Sequence, residues 1–326
     1  MRVLVTGGAG YIGSVMTSML LKENHEALVL DNLSKGHREA LRDAKLVVAD
    51  IEQKDKIQEI CMEFKPEACM HFAALSLVEE SMKNPILYYQ TNLSGGINLL
   101  DSLLASGCRI FVFSSTAAVY GIPDRVPIKE DDICKPINPY GHSKLMFEKV
   151  LEELDGLGKL KFISLRYFNA AGADLESDLG EDHEPETHLI PNVIRAALGI
   201  ENKARIFGTD YPTPDGTCIR DYIHVVDLCR AHMLALERLA EGGNSAIYNL
   251  GNSRGFSVRE VMDSVKRVSG KGFPVVEEKR RPGDPPVLIA SSEKISNELG
   301  WEPEYTSLDE IVRTAWAWHS RHPGGY

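Results

Sequence analysis

An extended apolar run, Arg2-Val3-Leu4-Val5-Thr6, breaks at once into Gly7-Gly8-Ala9-Gly10-Tyr11-Ile12-Gly13, after which Ser14–Glu23 reads as a helix. A strand that turns this tightly into a helix needs residues without bulky side chains. The same turn brings the first-turn N–H groups, which have no intrahelical partner, against whatever anion approaches. A Gly-x-x-Gly-x-x-Gly turn also occurs with no ligand, and the pattern alone leaves both readings open.

The next strand narrows the choice. Ala27–Asp31 is β-rich, and Asp31 ends it 18 positions after Gly13. That is close to the ~20 residues that separate a dinucleotide-binding turn from the carboxylate holding an adenine ribose. Asp31 can accept from both ribose hydroxyls and would repel a 2′-phosphate, and no arginine follows directly to offset it. The cofactor expected is therefore NAD. Asp50, followed by Ile51, would sit near the adenine edge, or else serve only to cap the next helix.

The first half continues this rhythm. Lys45–Asp50, Ala68–Phe72, Ile110–Ser115 and Leu160–Leu165 are further candidate strands, spaced widely enough for helical crossovers. Buried strands joined by such crossovers make a parallel sheet covered on both faces, a doubly wound α/β Rossmann architecture. From about Arg166 the chain becomes loop-rich, and a smaller α/β substrate-binding lobe is expected there. The division expected is residues 1–165 for the cofactor and 166–326 for the substrate. Asp221–Val226 and Ala246–Leu250 read as strands, in a segment of about 221–250 that returns to the first lobe.

Length and charge bound the partners. At roughly 100–200 residues per domain, 326 residues make about two units, and a net charge of −11 argues against a nucleic-acid surface, which needs Lys and Arg against phosphates. An anionic small molecule would need its own arginine cluster. The six cysteines contain no Cys-x-x-Cys pair, so neither a zinc site nor a disulfide framework is expected, and reduced thiols in a cytoplasmic enzyme fit. The apolar stretch before Gly7 is too short for a signal-peptide core, and nothing reaches the ~18 apolar residues of a membrane span. A soluble protein is expected.

The chemistry is carried by Asn138-Pro139-Tyr140-Gly141-His142-Ser143-Lys144. Asn138 and Pro139 make an N-cap and first helical position, and i, i+4 spacing puts Tyr140 and Lys144 on one helix face. A phenol that works as a base at neutral pH needs its pKa lowered by about three units. A lysine ammonium one turn away, with the positive nicotinamide of oxidised NAD, supplies a field of the right sign. Upstream, Phe113-Ser114-Ser115-Thr116 ends a candidate parallel strand at the edge where open α/β folds place ligands. There the Thr116 hydroxyl could relay a proton to Tyr140.

Together these residues resemble the extended short-chain dehydrogenase/reductase family. Further motifs resemble its UDP-hexose 4-epimerase branch: His71-Phe72-Ala73-Ala74, Tyr88-Tyr89 with Asn92, Arg166-Tyr167-Phe168-Asn169, Ile206-Phe207-Gly208, Arg220-Asp221-Tyr222 and Arg280-Arg281-Pro282-Gly283-Asp284. The resemblance runs from Met1 to Tyr326. It implies a cofactor site of Gly7, Gly10, Tyr11, Ile12, Gly13, Asp31, Asn32, Asp50, Ile51, Phe72, Ala73, Ala74, Asn92, Ser114, Tyr140, Lys144 and Phe168. It also implies that Asn169 and the backbone near Phe207 hold a UDP moiety, Arg220 and Arg281 its diphosphate, and Asp284 the uridine ribose. Thr116 and Tyr140 would meet the sugar. UDP-glucose and UDP-galactose are the implied substrates, interconverted through a 4-keto intermediate, and a homodimer the implied assembly.

Two positions depart from patterns found in the branch. Ser76 stands where some members carry lysine, and Leu288 where some carry a tyrosine that narrows the sugar pocket, so UDP-N-acetylglucosamine or another UDP-sugar remains an alternative substrate. Related dehydratases and decarboxylases place an acidic residue just after the Ser/Thr. Here the run is Thr116-Ala117-Ala118, which counts against both. A non-catalytic NAD-binding regulator would be expected to lose Tyr140 or Lys144, and both are present.

Overall fold

The computed structural model describes residues 1–281 and 284–326. In chain order the first six strands are β1 (Arg2–Thr6), β2 (Glu26–Asp31), β3 (Lys45–Val48), β4 (Ala68–His71), β5 (Ile110–Ser114) and β6 (Lys161–Tyr167). The next four are β7 (Asn169–Ala171), β8 (Ala204–Phe207), β9 (Ile219–His224) and β10 (Ala246–Leu250), followed by β11 (Gly255–Ser257), β12 (Val275–Glu278) and β13 (Val287–Leu288).

Seven of them form one parallel sheet in the spatial order β3-β2-β1-β4-β5-β6-β10. Val3, Leu4, Val5, Val29, Phe111, Val112, Ile163 and Leu165 are buried in it, the apolar character expected of strands covered on both faces. The helices Tyr11–Lys22 and Val225–Ala240 close one face with Val15, Met16, Leu20, Leu228 and Leu236. Lys54–Phe64, Gly96–Ser106 and Pro139–Gly156 close the other with Ile57, Ile60, Leu99, Leu103, Phe147 and Leu151. The chain runs outward from β1 to β3, then crosses back to start again at β4. The strand order therefore reverses between β1 and β4, where an open α/β sheet forms a crevice at its carboxyl ends.

The second lobe has its own core. β9 is flanked by β11 and β13 and also pairs with β7, and β8 pairs with β12. Helices Leu189–Leu198, Val258–Ser269 and Leu308–Arg321 bury Val193, Ile194, Val261, Val265, Ile311 and Val312 around these strands. Two of these helices start with reciprocal capping boxes, Ser257 with Glu260 and Ser307 with Glu310, which satisfy amides the first turn leaves unpaired.

The returning segment differs from the expectation. Helix Val225–Ala240 and β10 do join the first lobe, β10 beside β6. The strand expected at Asp221–Val226 instead forms as β9, Ile219–His224, in the second-lobe sheet. Its sequence explains the choice: Arg220 and Asp221 interrupt the apolar run, which a strand buried on both faces of the large sheet would not accept. In the small sheet, by contrast, the Asp221 carboxylate accepts from the Asn252 and Ala290 amides at 2.8 and 3.1 Å. Among the described residues no helix is long and apolar enough to cross a membrane.

Candidate active site

A cleft of about 710 Å³ lies between the carboxyl edge of the large sheet and the second lobe. That is toward the upper end of ordinary ligand sites, about 300–1,000 Å³.

The glycine turn forms one end. Gly7 holds φ +70°, and a Cβ there would lie 2.5 Å from the Ala73 nitrogen; a Cβ on Gly13 would lie 2.1 Å from the Gly7 carbonyl oxygen. Both glycines are required by the fold of the turn itself. Gly10 is different. Its added Cβ would meet only the Gly7 oxygen, at 3.4 Å, so the turn leaves room on its outer side. Gly10 is also the N-cap of Tyr11–Lys22 and has no side chain to bond the first-turn amides. The amides and the helix dipole thus face the cleft ready for a phosphate.

Asp31 ends β2 beside this turn. One of its oxygens accepts from the Ala9 amide at 2.9 Å and the other from the Leu33 amide at 2.8 Å. Burial pushes the carboxyl up and those two amides pull it back. Each oxygen keeps lone-pair capacity for a ribose hydroxyl. Asn32 donates to Asp50 at 2.7 Å, and Asp50 also accepts from the Glu52 amide at 2.9 Å. Asp50 therefore caps its own turn and lines the cleft, while the next helix, Lys54–Phe64, starts at Gln53 with no side-chain cap. Ile51, Phe72, Ala73 and Ala74 line the same wall. An adenine dinucleotide fits this donor and acceptor set.

Tyr140 and Lys144 sit midway along the cleft. Asn138 accepts from the Gly141 amide at 2.8 Å, and with Pro139 as the first helical residue it starts Pro139–Gly156 so that both side chains face inward. The Lys144 ammonium donates to the Ser114 carbonyl at 2.9 Å and lies 4.8 Å over the Phe113 ring. Burial lowers it to about 7, against the Glu148 carboxylate, which raises it. The Tyr140 phenol is pushed up by burial and pulled down by the Thr116 hydroxyl beside it. The expected field combines Lys144 with the positive nicotinamide of oxidised NAD, and the protein alone leaves the phenol above its ordinary value. A buried lysine that titrates near neutrality is a partial charge at best, so the remaining field has to come from what binds beside it.

The far end belongs to the second lobe. Asn169 begins β7 and donates to the Asp221 carbonyl at 2.7 Å. Arg220, on β9, pairs with Asp284, and Leu288 packs with Val119, Tyr120, Ile128 and Phe168. Asn169, Arg220, Asp284, Leu288 and Phe168 all line the cleft with Thr116, Tyr140 and Lys144. Three expected site residues do not line it. The Arg281 guanidinium lies 4.1 Å over the Phe207 ring, outside the lining. Asn92 is buried behind the wall, accepting from the Leu75 amide at 2.8 Å and donating to Ser143 at 3.1 Å. It braces the catalytic helix against the loop after β4. Pro282 and Gly283 of the arginine motif lie outside the described residues.

The model of the NAD dependent epimerase/dehydratase family matches residues 3–251. The chain belongs to that family. It is similar to the UDP-glucose 4-epimerase of Halalkalibacterium halodurans, 50% identical over 326 residues that cover 100% of this chain and 98% of that one. It is also similar to a crystal structure of a UDP-glucose 4-epimerase, with a TM-score of 0.97 and 46% identity over 100% of this chain and 99% of that one. The structure of the Bifidobacterium longum UDP-glucose 4-epimerase in complex with NAD+ and UDP aligns with a TM-score of 0.94 and 34% identity, covering 100% of both chains.

One part of this epimerase/dehydratase-family site escaped the sequence motifs. Behind the catalytic helix, Arg166 pairs with Glu148 through two bonds of 2.6 and 3.0 Å and donates to the Tyr120 hydroxyl at 2.8 Å. Ser115 donates to Glu148 at 2.6 Å, and Tyr120 to Asn249 at 2.7 Å. Glu148 stands one turn beyond Lys144, and the network ties that helix to the ends of β5, β6 and β10. The available signal was Arg166 itself, a charge closing the apolar run Phe162-Ile163-Ser164-Leu165; a charge buried in a central strand requires a partner.

Proposed function

We propose that this chain interconverts UDP-glucose and UDP-galactose by NAD-dependent oxidation and re-reduction at C4. The observation that carries this reading is the convergence on one cleft of a dinucleotide turn with Asp31, a Tyr-x-x-x-Lys pair with Thr116, and an arginine–aspartate pair on the opposite lobe.

Each group has a step it can perform. Arg220 turns from Asp284 toward the diphosphate, which frees the Asp284 carboxylate for the uridine ribose. Asn169 holds the UDP end beside them. Thr116 bonds the sugar hydroxyl and passes its proton to Tyr140, and Lys144 steadies the phenolate from one turn below. Gly7, Gly10, Gly13 and Asp31 would hold NAD, which when bound would supply a hydride acceptor and donor for C4 and, when oxidised, a positive charge. Because the handle is gripped and the sugar touches few polar groups, the 4-keto sugar can turn over and present its other face. No net redox change results.

Homodimerisation fits the same reading. Met82, Ile86, Ile97 and Met146 are exposed on the neighbouring helices Val78–Lys83, Pro85–Tyr88, Gly96–Ser106 and Pro139–Gly156, an apolar surface of the kind a partner covers. A cytoplasmic location agrees with six free cysteines.

Purified protein given UDP-galactose and no added NAD should form UDP-glucose, followed by chromatography, with no accumulation of reduced nicotinamide absorbance. No conversion, even after NAD is supplied, would refute the proposal.

A further inference from the structure

Eight residues of second-lobe loop, Glu181 to His188, gather two carboxylates and two imidazoles at one point. Glu181 and Glu186 are both buried, with side chains 3% and 4% exposed. Two carboxylates this close in a buried loop repel each other and call for positive charge between them, from imidazolium or from a metal ion. The imidazoles of His183 and His188 face them. One ligand atom from each of the four residues lies within 4.8 Å of every other.

The spacing is that of a coordination sphere. Zinc binds histidine nitrogen at about 2.0–2.1 Å and carboxylate oxygen at about 2.0–2.2 Å, usually as a tetrahedron whose edges are then about 3.3–3.5 Å. The His183 Nδ1 atom stands 3.3 Å from Glu181 and 3.6 Å from one Glu186 oxygen, and the His188 Nδ1 atom 3.8 Å from the other Glu186 oxygen. A fourth edge, His188 to Glu181, is closed as a direct ion pair and would open around an ion.

Two further observations point the same way. The His183 Nδ1 atom is buried and makes no hydrogen bond of regular geometry, facing the shared centre with only the ion-pair approaches of Glu181 and Glu186. Glu186 is held from behind, accepting from the Thr187 and His188 amides at 2.7 Å each, and such bonds orient a carboxylate toward a metal.

We infer that Glu181, His183, Glu186 and His188 form a binding site for a zinc-class divalent cation. Two nitrogens and two oxygens suit zinc better than calcium or magnesium, which favour all-oxygen shells. None of the six cysteines takes part. Glu181, His183 and His188 also line the cleft, and none of the four is among the groups assigned to the proton transfer. His188 is the N-cap of Leu189–Leu198, so the ion would fix the loop from which Leu189, Ile190 and Pro191 reach the cleft wall.

The test uses untagged full-length protein, freed of metal with a chelator and titrated with Zn2+ against a chromophoric competitor. Co2+, added separately, reports coordination through its visible absorption. One equivalent per chain, tetrahedral-type Co2+ bands and a higher melting temperature with Zn2+ are expected. His183→Gln and Glu181→Gln should each weaken binding by at least the roughly 10–100-fold that loss of an outer-shell partner costs. His188→Asn, at a half-exposed ring, repeats the measurement with less disturbance of the core. Absence of saturable binding, or binding that survives these substitutions unchanged, would overturn the assignment and leave the four residues as a network of ion pairs.

Discussion

The two ends of the cleft are built from different materials. At the NAD end the wall is mostly main chain: a glycine turn with no space for methyl groups at two positions, an uncapped helix start, and a carboxylate tied by two amides. At the UDP end it is side chains, and the charged pair there, Arg220 and Asp284, is mutually satisfied, while Arg281 lies over the face of Phe207 outside the lining. A main-chain wall is ready before its ligand arrives. A wall of mutually paired side chains must exchange partners to bind, and so can grip and release a nucleotide in each cycle while the cofactor stays.

Substitutions separate the two ends. Tyr140→Phe, between them, should lower kcat by about 10²–10⁴-fold while UDP still inhibits and NAD remains bound; retained turnover would move the chemistry elsewhere. Arg220→Ala should weaken inhibition by UDP roughly 10–150-fold, as expected for charged hydrogen bonds worth about 1.5–3 kcal/mol, with NAD content unchanged. Gly13→Ala should do the reverse, destabilising the fold by about 1–3 kcal/mol through overpacking and stripping NAD, while UDP affinity changes less; denaturant midpoints and nicotinamide per chain report it. Burial lowers Lys144 from 10.5 to about 7, so between those values the unfolded chain holds a proton that the cofactor-free folded chain has released. Stability from this group then rises with pH. Lys144→Met should flatten that rise by up to about 2 kcal/mol between pH 7 and pH 9, at about 1.4 kcal/mol per unit, read from urea midpoints. Smallest is Arg281→Ala. A cation–π contact of about 0.5–1 kcal/mol should change UDP inhibition by less than about 5-fold, and an effect as large as that of Arg220 would show that Arg281 leaves Phe207 to meet the diphosphate.

The same contrast governs what could be read in advance. Gly7, Gly13 and Asp31 were legible because backbone geometry imposes residue types at set intervals, and the first strand, turn and helix are local. Asn138 and Tyr140 with Lys144 were legible for the same reason, being one helix start. The Arg220–Asp284 pair joins residues 64 positions apart, and no periodicity records that they meet. The Glu148–Arg166–Tyr120–Asn249 network was missed because each member sits in a different element. The placement of β9 failed similarly: Asp221 finds its amide donors on Asn252 and Ala290, contacts that exist only after both lobes have formed. Spacing shows which charges stand near Tyr140 but not how deeply the pair is buried, and burial is what pushes the phenol up.

The Glu148–Arg166 network has a consequence for descent as well as for catalysis. It locks the acid–base helix to three strand ends through groups that stay out of the cleft, so that helix has little freedom to answer changes made across from it. Novelty is thereby confined to the opposite wall, where Leu288 can be exchanged while Tyr120, against which it packs, stays held by Arg166 and Asn249. Such a chain can try new sugars by mutation while keeping one chemistry intact.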